Sequence, residues 1–188
     1  YHGRWAKDYL VEEADVDLPS LLRACKVNDV ILIGHSDGGS IALLAAAMHG
    51  YMVRGVITEA AHIFVEEETL RGIREFMEKY EKNELKRKIA RFHGKETDTV
   101  VYRWADTWLD PEFRDWNIEA FLPQISCPLL VLQGTDDQYA TAKQVTDIVR
   151  QVSGPAKWEL IPNCDHVPHF QATDRVLLLM NDFIATLR

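Results

Sequence analysis

The residues from Gly34 to Gly38 form a G-x-S-x-G pattern, which places a serine where it can act as a nucleophile. The apolar run 31–33 ends directly before this pattern, and the small-residue stretch 41–47 follows it. A strand, a sharp turn and a helix in succession would hold the Ser36 hydroxyl clear of the backbone. Because Gly34 and Gly38 have no Cβ atom, we expect them to avoid a clash where the strand and the helix pass each other. The pattern therefore predicts attack by Ser36 on a carbonyl.

A serine nucleophile needs a general base, and the base needs a partner that fixes its tautomer. The apolar run 129–133 breaks into a loop that carries Asp136 and Asp137. A later apolar run is followed by a loop that carries His166 and His169. Because these loops and the serine all come directly after a strand, we expect them to meet at the carboxyl edge of one parallel sheet, where open α/β sheets bind ligands.

The order of the predicted elements favours an α/β fold with a three-layer, mostly parallel sheet. Strands are predicted at 30–33, 53–58, 129–133 and 157–161, and helices at 36–49, 142–152 and 174–187. Strands that alternate with helices in this way are parallel and joined by crossovers. Apolar residues at helical spacing also predict a helix within residues 5–25, which Pro19 restarts or kinks and for which Asp17 is a candidate cap.

About 65 residues separate the second predicted strand from the third, far more than one crossover helix needs. Amphipathic helices are predicted around residues 70–80, 85–92 and 101–108, with a short one at Asp110-Pro111. We expect this helical insertion, residues 62–123, to form a lid over the carboxyl edge of the sheet. The whole chain, residues 1–188, is expected to form a single domain.

Bulk composition limits the classes of function. The 47% hydrophobic and 27% charged residues are typical of a soluble globular protein. The net charge of −8 argues against a nucleic-acid partner, because no excess of basic residues is available to neutralise phosphates. No apolar run approaches the ~18 residues of a membrane span. The 3 cysteines, an odd number without a C-x-x-C pair, predict reduced thiols and a cytoplasmic protein.

Three motifs together make the sequence resemble the α/β-hydrolase fold family over essentially its whole length. They are a G-H-S-D-G-G elbow at 34–39, a G-x-x-D acid loop at 134–137 and an H-x-P-H loop at 166–169. Bacterial single-domain hydrolases with a helical cap carry similar motifs. In this family the order along the chain is serine, acid, histidine.

The resemblance implies one role for each candidate. Ser36 would be the nucleophile. Asp137 would be the acid instead of Asp136, because the family acid stands three residues after the loop glycine. His166, the first histidine of its motif, would be the base instead of His169. The resemblance implies no cofactor.

The family pattern also includes strands before the elbow, with a loop that donates one N–H to the oxyanion hole. The stretch Tyr1-His2-Gly3-Arg4 is similar to that glycine-rich loop, so the upstream strands and their donor are expected to be missing from this chain. The backbone N–H of Asp37 would supply the other donor. Loss of one such donor costs about 10²–10³ in turnover.

Further residues near the predicted edge are candidates for the oxyanion hole or for substrate binding: His35, Asp37, His62, Phe64, Trp104, Trp108 and His169. Asp37 has two interpretations, a favourable charge at a helix N-terminus or a carboxylate that selects an amine-bearing substrate. Packing at the base of the lid explains His62 and Phe64 equally well. Trp104, Trp108 and Trp116 are candidates for an apolar ceiling over the substrate, although the helical spacing of Trp104 and Trp108 is more typical of a lid core.

A metal site is the main alternative for the C-terminal loop, where Cys164, Asp165, His166 and His169 are all ligand types. Pro168 disfavours the regular helix that would align them, and no second cluster supports such a site. We therefore predict no metal.

The functional hypothesis is a serine hydrolase that cleaves a small ester, thioester or lactone through an acyl-enzyme on Ser36. A serine at the elbow, where other branches carry an aspartate, argues against epoxide opening and dehalogenation. Hydrolysis of a C–C bond would use the same residues and stays open. The rival class is a catalytically silent scaffold that binds a small molecule. The expected partner is a small acyl compound, and the oligomeric state is not readable.

Overall fold

The structure, a computed structural model, describes residues 3–83 and 85–187, and the Tyr1-His2 part of the predicted loop lies outside them. Four parallel strands pair in chain order within the described residues: β1 (Val30–His35), β2 (Val53–Glu59), β3 (Leu129–Gly134) and β4 (Ala156–Ile161). The four predicted strands are confirmed, and each is one or two residues longer than predicted.

The helices of the described chain are α1 (Tyr9–Glu12), α2 (Leu18–Ala24), α3 (Asp37–Met48), α4 (Glu67–Glu81), α5 (Lys86–His93), α6 (Thr97–Trp108), α7 (Ala142–Gln151), α8 (Pro168–Gln171) and α9 (Thr173–Ala185). A π-helical stretch, Glu13–Asp17, joins α1 to α2. A new helix does begin directly after Asp17, but the capping role predicted for Asp17 is wrong, because it has helical backbone angles and makes no capping bond. Pro19 stands in the first turn of α2, where it is tolerated.

Two apolar cores, one on each face of the sheet, produce the three-layer architecture. Val56 and Val131 point into the core formed with α1, α3 and α7, whereas the adjacent residues Ile57 and Leu132 point into the core formed with α9. All four side chains are buried. Because β3 is covered on both faces, its residues 129–132 form a continuous apolar run without alternation, and the middle of β2 carries the adjacent apolar pair Val56 and Ile57 for the same reason.

The helical insertion supplies α4, α5 and α6 between β2 and β3, followed by the 3₁₀ turns Pro111–Phe113 and Glu119–Gln124. The short helix predicted at Asp110-Pro111 is the first of these turns, and the Asp110 carboxylate accepts the Glu112 N–H at 2.9 Å. The exact division at 62–123 stays a prediction. No helix in the described part of the chain is long and apolar enough to cross a bilayer.

Candidate active site

The turn between β1 and α3 holds Ser36 in a strained backbone conformation, with φ 54° and ψ −123°. Gly34 makes the turn possible, because a Cβ there would clash with the carbonyl group of Gly38. The role predicted for Gly38 is wrong, since a Cβ at that position meets nothing within 4 Å. Gly39 has the close contact instead, because its Cβ would lie 2.7 Å from that of Ala61, just beyond β2.

The structure brings the side chains of Ser36, Asp137 and His166 into one hydrogen-bonded row. His166 Nε2 lies 3.0 Å from Ser36 Oγ, and His166 Nδ1 lies 2.9 and 3.1 Å from the two oxygens of Asp137. The Asp137 side chain is fully buried and that of His166 is 10% exposed. Because a carboxylate accepts the Nδ1–H, Nε2 is left as the acceptor that faces the serine hydroxyl.

The loop after β3, residues 135–141, is called the acid loop below. Gly134, the last residue of β3, packs closely against the loop of residues 162–169, which carries His166 and His169 and is called the histidine loop below; a Cβ at Gly134 would clash with the carbonyl of Cys164. Asp137 also accepts the Tyr139 N–H at 2.9 Å. The Asp136 carboxylate accepts the Thr135 hydroxyl at 3.1 Å instead, and the hydrogen bonds of His166 Nδ1 go to Asp137.

Two further histidines support the histidine loop. The ring Nε2 of His35 lies 2.7 Å from the carbonyl oxygen of His166, so it carries the proton and donates it to that acceptor. His169 donates its backbone N–H to the Glu59 carboxylate at 3.0 Å, and its Nδ1 lies 3.2 Å from the same oxygen. The rings of His35 and His169 are 5.2 Å apart. Burial is the main cause that lowers the pKa of His35.

His62 is a neutral, buried histidine beside His166, and their ring centres are 5.9 Å apart. Its Nε2 faces the carbonyl oxygen of Tyr139 at 3.3 Å, and its Nδ1 has no hydrogen-bond partner among the described residues. Burial, and to a smaller extent the nearby His166, lower the pKa of His62 to about 4.

A cavity of about 230 Å³ opens onto the serine. Besides the serine and histidine of the row, it is lined by His35, Asp37, His62, Thr69, Ile73, Phe76, Trp104, Trp108 and Tyr139. Of the predicted binding residues, Phe64, Trp116 and His169 do not line it. Phe64 packs against the Lys143 ammonium instead, 4.3 Å from its ring centre. A larger groove of about 840 Å³, along residues 3–7 and 106–113, lies away from these side chains.

Asp37 is the first residue of α3 and also lines the cavity. Its carboxylate accepts the Tyr9 hydroxyl at 2.6 Å, and the Tyr9 oxygen accepts the indole N–H of Trp108 at 3.0 Å. Burial raises the pKa of Asp37. Within residues 3–83 and 85–187, its backbone N–H has no acceptor, because the first N–H groups of a helix have no partner inside the helix.

Glu59 and Tyr139 contact the histidine loop, and the sequence analysis did not predict either residue as part of the site. Glu59 is 3% exposed at the end of the apolar strand β2, so a charge in that place was a detectable signal. Tyr139 packs its ring against His166, with 4.6 Å between ring centres, and nothing in its local sequence indicates that contact. The described residues contain no group of three or more His, Cys, Asp and Glu side chains arranged to hold a metal ion.

Comparison with known proteins shows to which family the chain belongs. The model of the alpha/beta hydrolase family matches residues 2–177. The chain belongs to the alpha/beta hydrolase family. The family predicted from the three motifs is thereby confirmed.

Two relatives of this alpha/beta hydrolase family member are the mouse (Mus musculus) and human (Homo sapiens) proteins named serine hydrolase BPHL. The chain is 27% identical to the mouse protein over 187 residues, which are 95% of this chain and 62% of the relative. It is 28% identical to the human protein over 177 residues, which are 89% of this chain and 59% of the relative. The chain therefore spans about three fifths of the length of these relatives.

Solved structures of alpha/beta hydrolases support the fold. An esterase from Thermogutta terrifontis superposes with a TM-score of 0.68 at 19% identity, over 100% of this chain and 75% of that protein. At that identity the likeness concerns the arrangement of strands and helices alone.

Proposed function

We propose that this chain is a serine hydrolase that cleaves a small ester, thioester or lactone through an acyl-enzyme on Ser36. The observation that carries the proposal is the position of His166, with one ring nitrogen 3.0 Å from the serine oxygen and the other 2.9 Å from a buried carboxylate. Two relatives named serine hydrolase support the same class of reaction.

In the proposed mechanism, Ser36 Oγ attacks the substrate carbonyl while His166 Nε2 takes the hydroxyl proton. Asp137 holds the ring in the productive tautomer and stabilises its positive charge. His166 then gives the proton to the leaving group, and the acyl-enzyme forms. Water attacks the acyl carbon with His166 again as the base, which releases the acid and restores the serine. The Asp37 N–H would stabilise the negative oxygen in both steps.

The size and lining of the cavity favour a substrate with a small, largely apolar acyl group. Its volume of about 230 Å³ lies below the ~300–1,000 Å³ that is common for ligand pockets. Ile73, Phe76 and Trp104 of the helical insertion contribute apolar walls.

Covalent labelling tests the nucleophile directly. A fluorophosphonate probe reacts with an activated serine, so we expect labelling of the native chain and none of Ser36→Ala. Asp137→Asn should slow labelling by at least ~10³ because the histidine loses its correct tautomer. Equal labelling of the native chain and Ser36→Ala would reject the proposal. Binding of an acyl ligand without labelling would favour the silent scaffold.

A panel of short and long chromogenic esters would then identify the preferred acyl group. Hydrolysis of a β-diketone, without hydrolysis of any ester, would favour C–C bond cleavage over ester cleavage.

Asp37 supports a finer proposal, that the substrate carries a cationic amine near the reacting carbonyl. A half-buried carboxylate beside the nucleophile would regain favourable electrostatics when an ammonium group binds. Esters of an amino acid and of the matching acid without the amine provide the test. The native chain should prefer the amino ester, and Asp37→Asn should lose that preference by about tenfold or more. An unchanged ratio would leave Asp37 as a charge at a helix N-terminus.

A further inference from the structure

The N-terminal part of α4 is joined to the acid loop by hydrogen bonds. The Thr69 hydroxyl donates to the carbonyl oxygen of Tyr139 at 2.7 Å. The N–H of the same residue, Tyr139, donates to the Asp137 carboxylate at 2.9 Å. One residue of the acid loop therefore connects a helix of the insertion with the carboxylate that faces His166.

Glu66 forms a second link one turn earlier. Its two carboxylate oxygens accept the Thr141 hydroxyl at 2.6 Å and the Thr141 N–H at 3.0 Å. The Gln144 amide donates to the same carboxylate at 2.8 Å. The acid loop is thus fastened to the insertion at both Tyr139 and Thr141.

Backbone packing brings the two parts close together. A Cβ at Gly72 would lie 2.7 Å from the Gln138 carbonyl oxygen and 2.7 Å from the ring of Tyr139. Thr69 is 2% exposed, so its bond to the Tyr139 carbonyl is shielded from bulk water. The remaining donor to that oxygen, His62 Nε2, is at 3.3 Å and forms the weaker bond.

We propose that Thr69 is a positioning residue for the Asp137–His166 pair, acting through the Tyr139 peptide. This inference rests on the proposed function, because it assigns a purpose to the orientation of the pair. Without the Thr69 hydroxyl, the Tyr139 carbonyl loses its shorter bond and the acid loop relaxes away from α4. The Asp137 carboxylate then shifts relative to the histidine ring, and proton transfer from Ser36 slows.

Three variants of the full chain test the kinetic consequence. Thr69→Val removes the hydroxyl at nearly constant volume, and Thr69→Ser restores it. Thr97→Val is the matched control, because Thr97 is likewise buried in the insertion, at 3% exposure, and its hydroxyl donates to the Gly94 carbonyl oxygen at 2.6 Å, away from the acid loop. For ester hydrolysis, we expect Thr69→Val to lower kcat about tenfold with KM within about twofold. Thr69→Ser and Thr97→Val should stay within about twofold of the native kcat.

Proton NMR of the free protein tests the same inference without any turnover. The His166 Nδ1–H, bonded to Asp137, should give a resonance downfield of the amide region, assigned by its loss in His166→Gln. Thr69→Val should shift or broaden this resonance, whereas Thr69→Ser and Thr97→Val should leave it in place. Because Thr69 also takes part in the capping box of α4, spectra are recorded well below each variant's Tm.

The outcomes separate the two proposals. A native chain that shows the resonance but hydrolyses nothing would reject the proposed function, while a shifted signal in Thr69→Val would still support the positioning role. An unchanged resonance and unchanged kcat in Thr69→Val would overturn that role. A kcat loss of equal size in Thr97→Val would also overturn it, because the effect would then come from loosening the insertion as a whole.

Discussion

Gly34 determines how closely β1 and α3 approach each other at Ser36. Gly34→Ala would push its Cβ into the Gly38 carbonyl group, so the turn must open and move Ser36. We expect a loss of fluorophosphonate labelling of at least about 100-fold and a destabilised fold. Gly38→Ala is the matched control, because its Cβ meets nothing within 4 Å. It should retain labelling, and similar losses in both variants would contradict this account of the turn.

His62 should make the free energy of unfolding depend on pH. Its pKa is lowered from 6.5 to about 4 in the folded chain, so the unfolded chain takes up a proton between these values that the folded chain does not. The free energy of unfolding therefore falls as the pH falls through this window. The expected contribution between pH ~6.5 and ~4.5 is about 2 kcal/mol.

Urea denaturation at several pH values measures this contribution. In His62→Gln, which keeps a donor for the Tyr139 carbonyl, the free energy of unfolding should vary less between these pH values than in the native chain. An identical pH dependence in both proteins would show that His62 is protonated equally in the folded and unfolded states.

At the level of single residues, the sequence allowed prediction of the positions that follow strands and carry reactive groups. Ser36, Asp137 and His166 all occupy such positions. The resemblance to the α/β-hydrolase family favoured Asp137 over its neighbour Asp136, and His166 over the nearby second histidine of its motif. The contacts of Tyr139 and Gly39 were not predictable, because they depend on how separate loops pack in space. Phe64 stands only two residues after His62, yet it faces Lys143 and not the cavity.

At the level of elements, α4 and α6 form the wall that sets the size of the cavity. Phe76 and Trp104 pack edge to face across this wall, with 5.3 Å between ring centres. Phe76→Ala should enlarge the cavity and raise kcat/KM for a longer acyl ester, relative to an acetyl ester, by about tenfold.

The control for this prediction is Phe92→Ala in α5, because the Phe92 side chain is 86% exposed and does not line the cavity. It should leave the ratio of the two esters unchanged. A ratio that stays constant in Phe76→Ala as well would place the acyl group elsewhere.

The elements themselves were predictable to different degrees. Buried parallel strands appear as apolar runs, and α4 shows its amphipathic pattern plainly, so these were located well. The π-helical stretch Glu13–Asp17 and the 3₁₀ turn Glu119–Gln124 were not predicted, because both depend on packing more than on local preference.

At the level of the whole molecule, β1 lies at one edge of the sheet. Within the described residues it pairs with β2 alone, and its residue Ile33 is 55% exposed. An apolar edge strand with unpaired backbone groups promotes association between copies. In this 188-residue chain, Ile33→Lys should therefore reduce self-association while it preserves labelling of Ser36.

Light scattering across a concentration series measures that association. Exposed Lys157 on β4 offers a comparison, since Lys157→Gln alters a charge at the other end of the strand order. If Ile33→Lys leaves the scattering unchanged, the edge of β1 does not drive association.

The close approach of Gly72 to the acid loop has a consequence for how such proteins diversify. An insertion whose helix rests directly on the Gln138 carbonyl cannot be exchanged as an independent module. A chimera that grafts a relative's insertion onto this sheet must also carry residues 138–141 of the donor. New substrate ranges in this lineage would then arise from paired changes in two separate stretches of sequence.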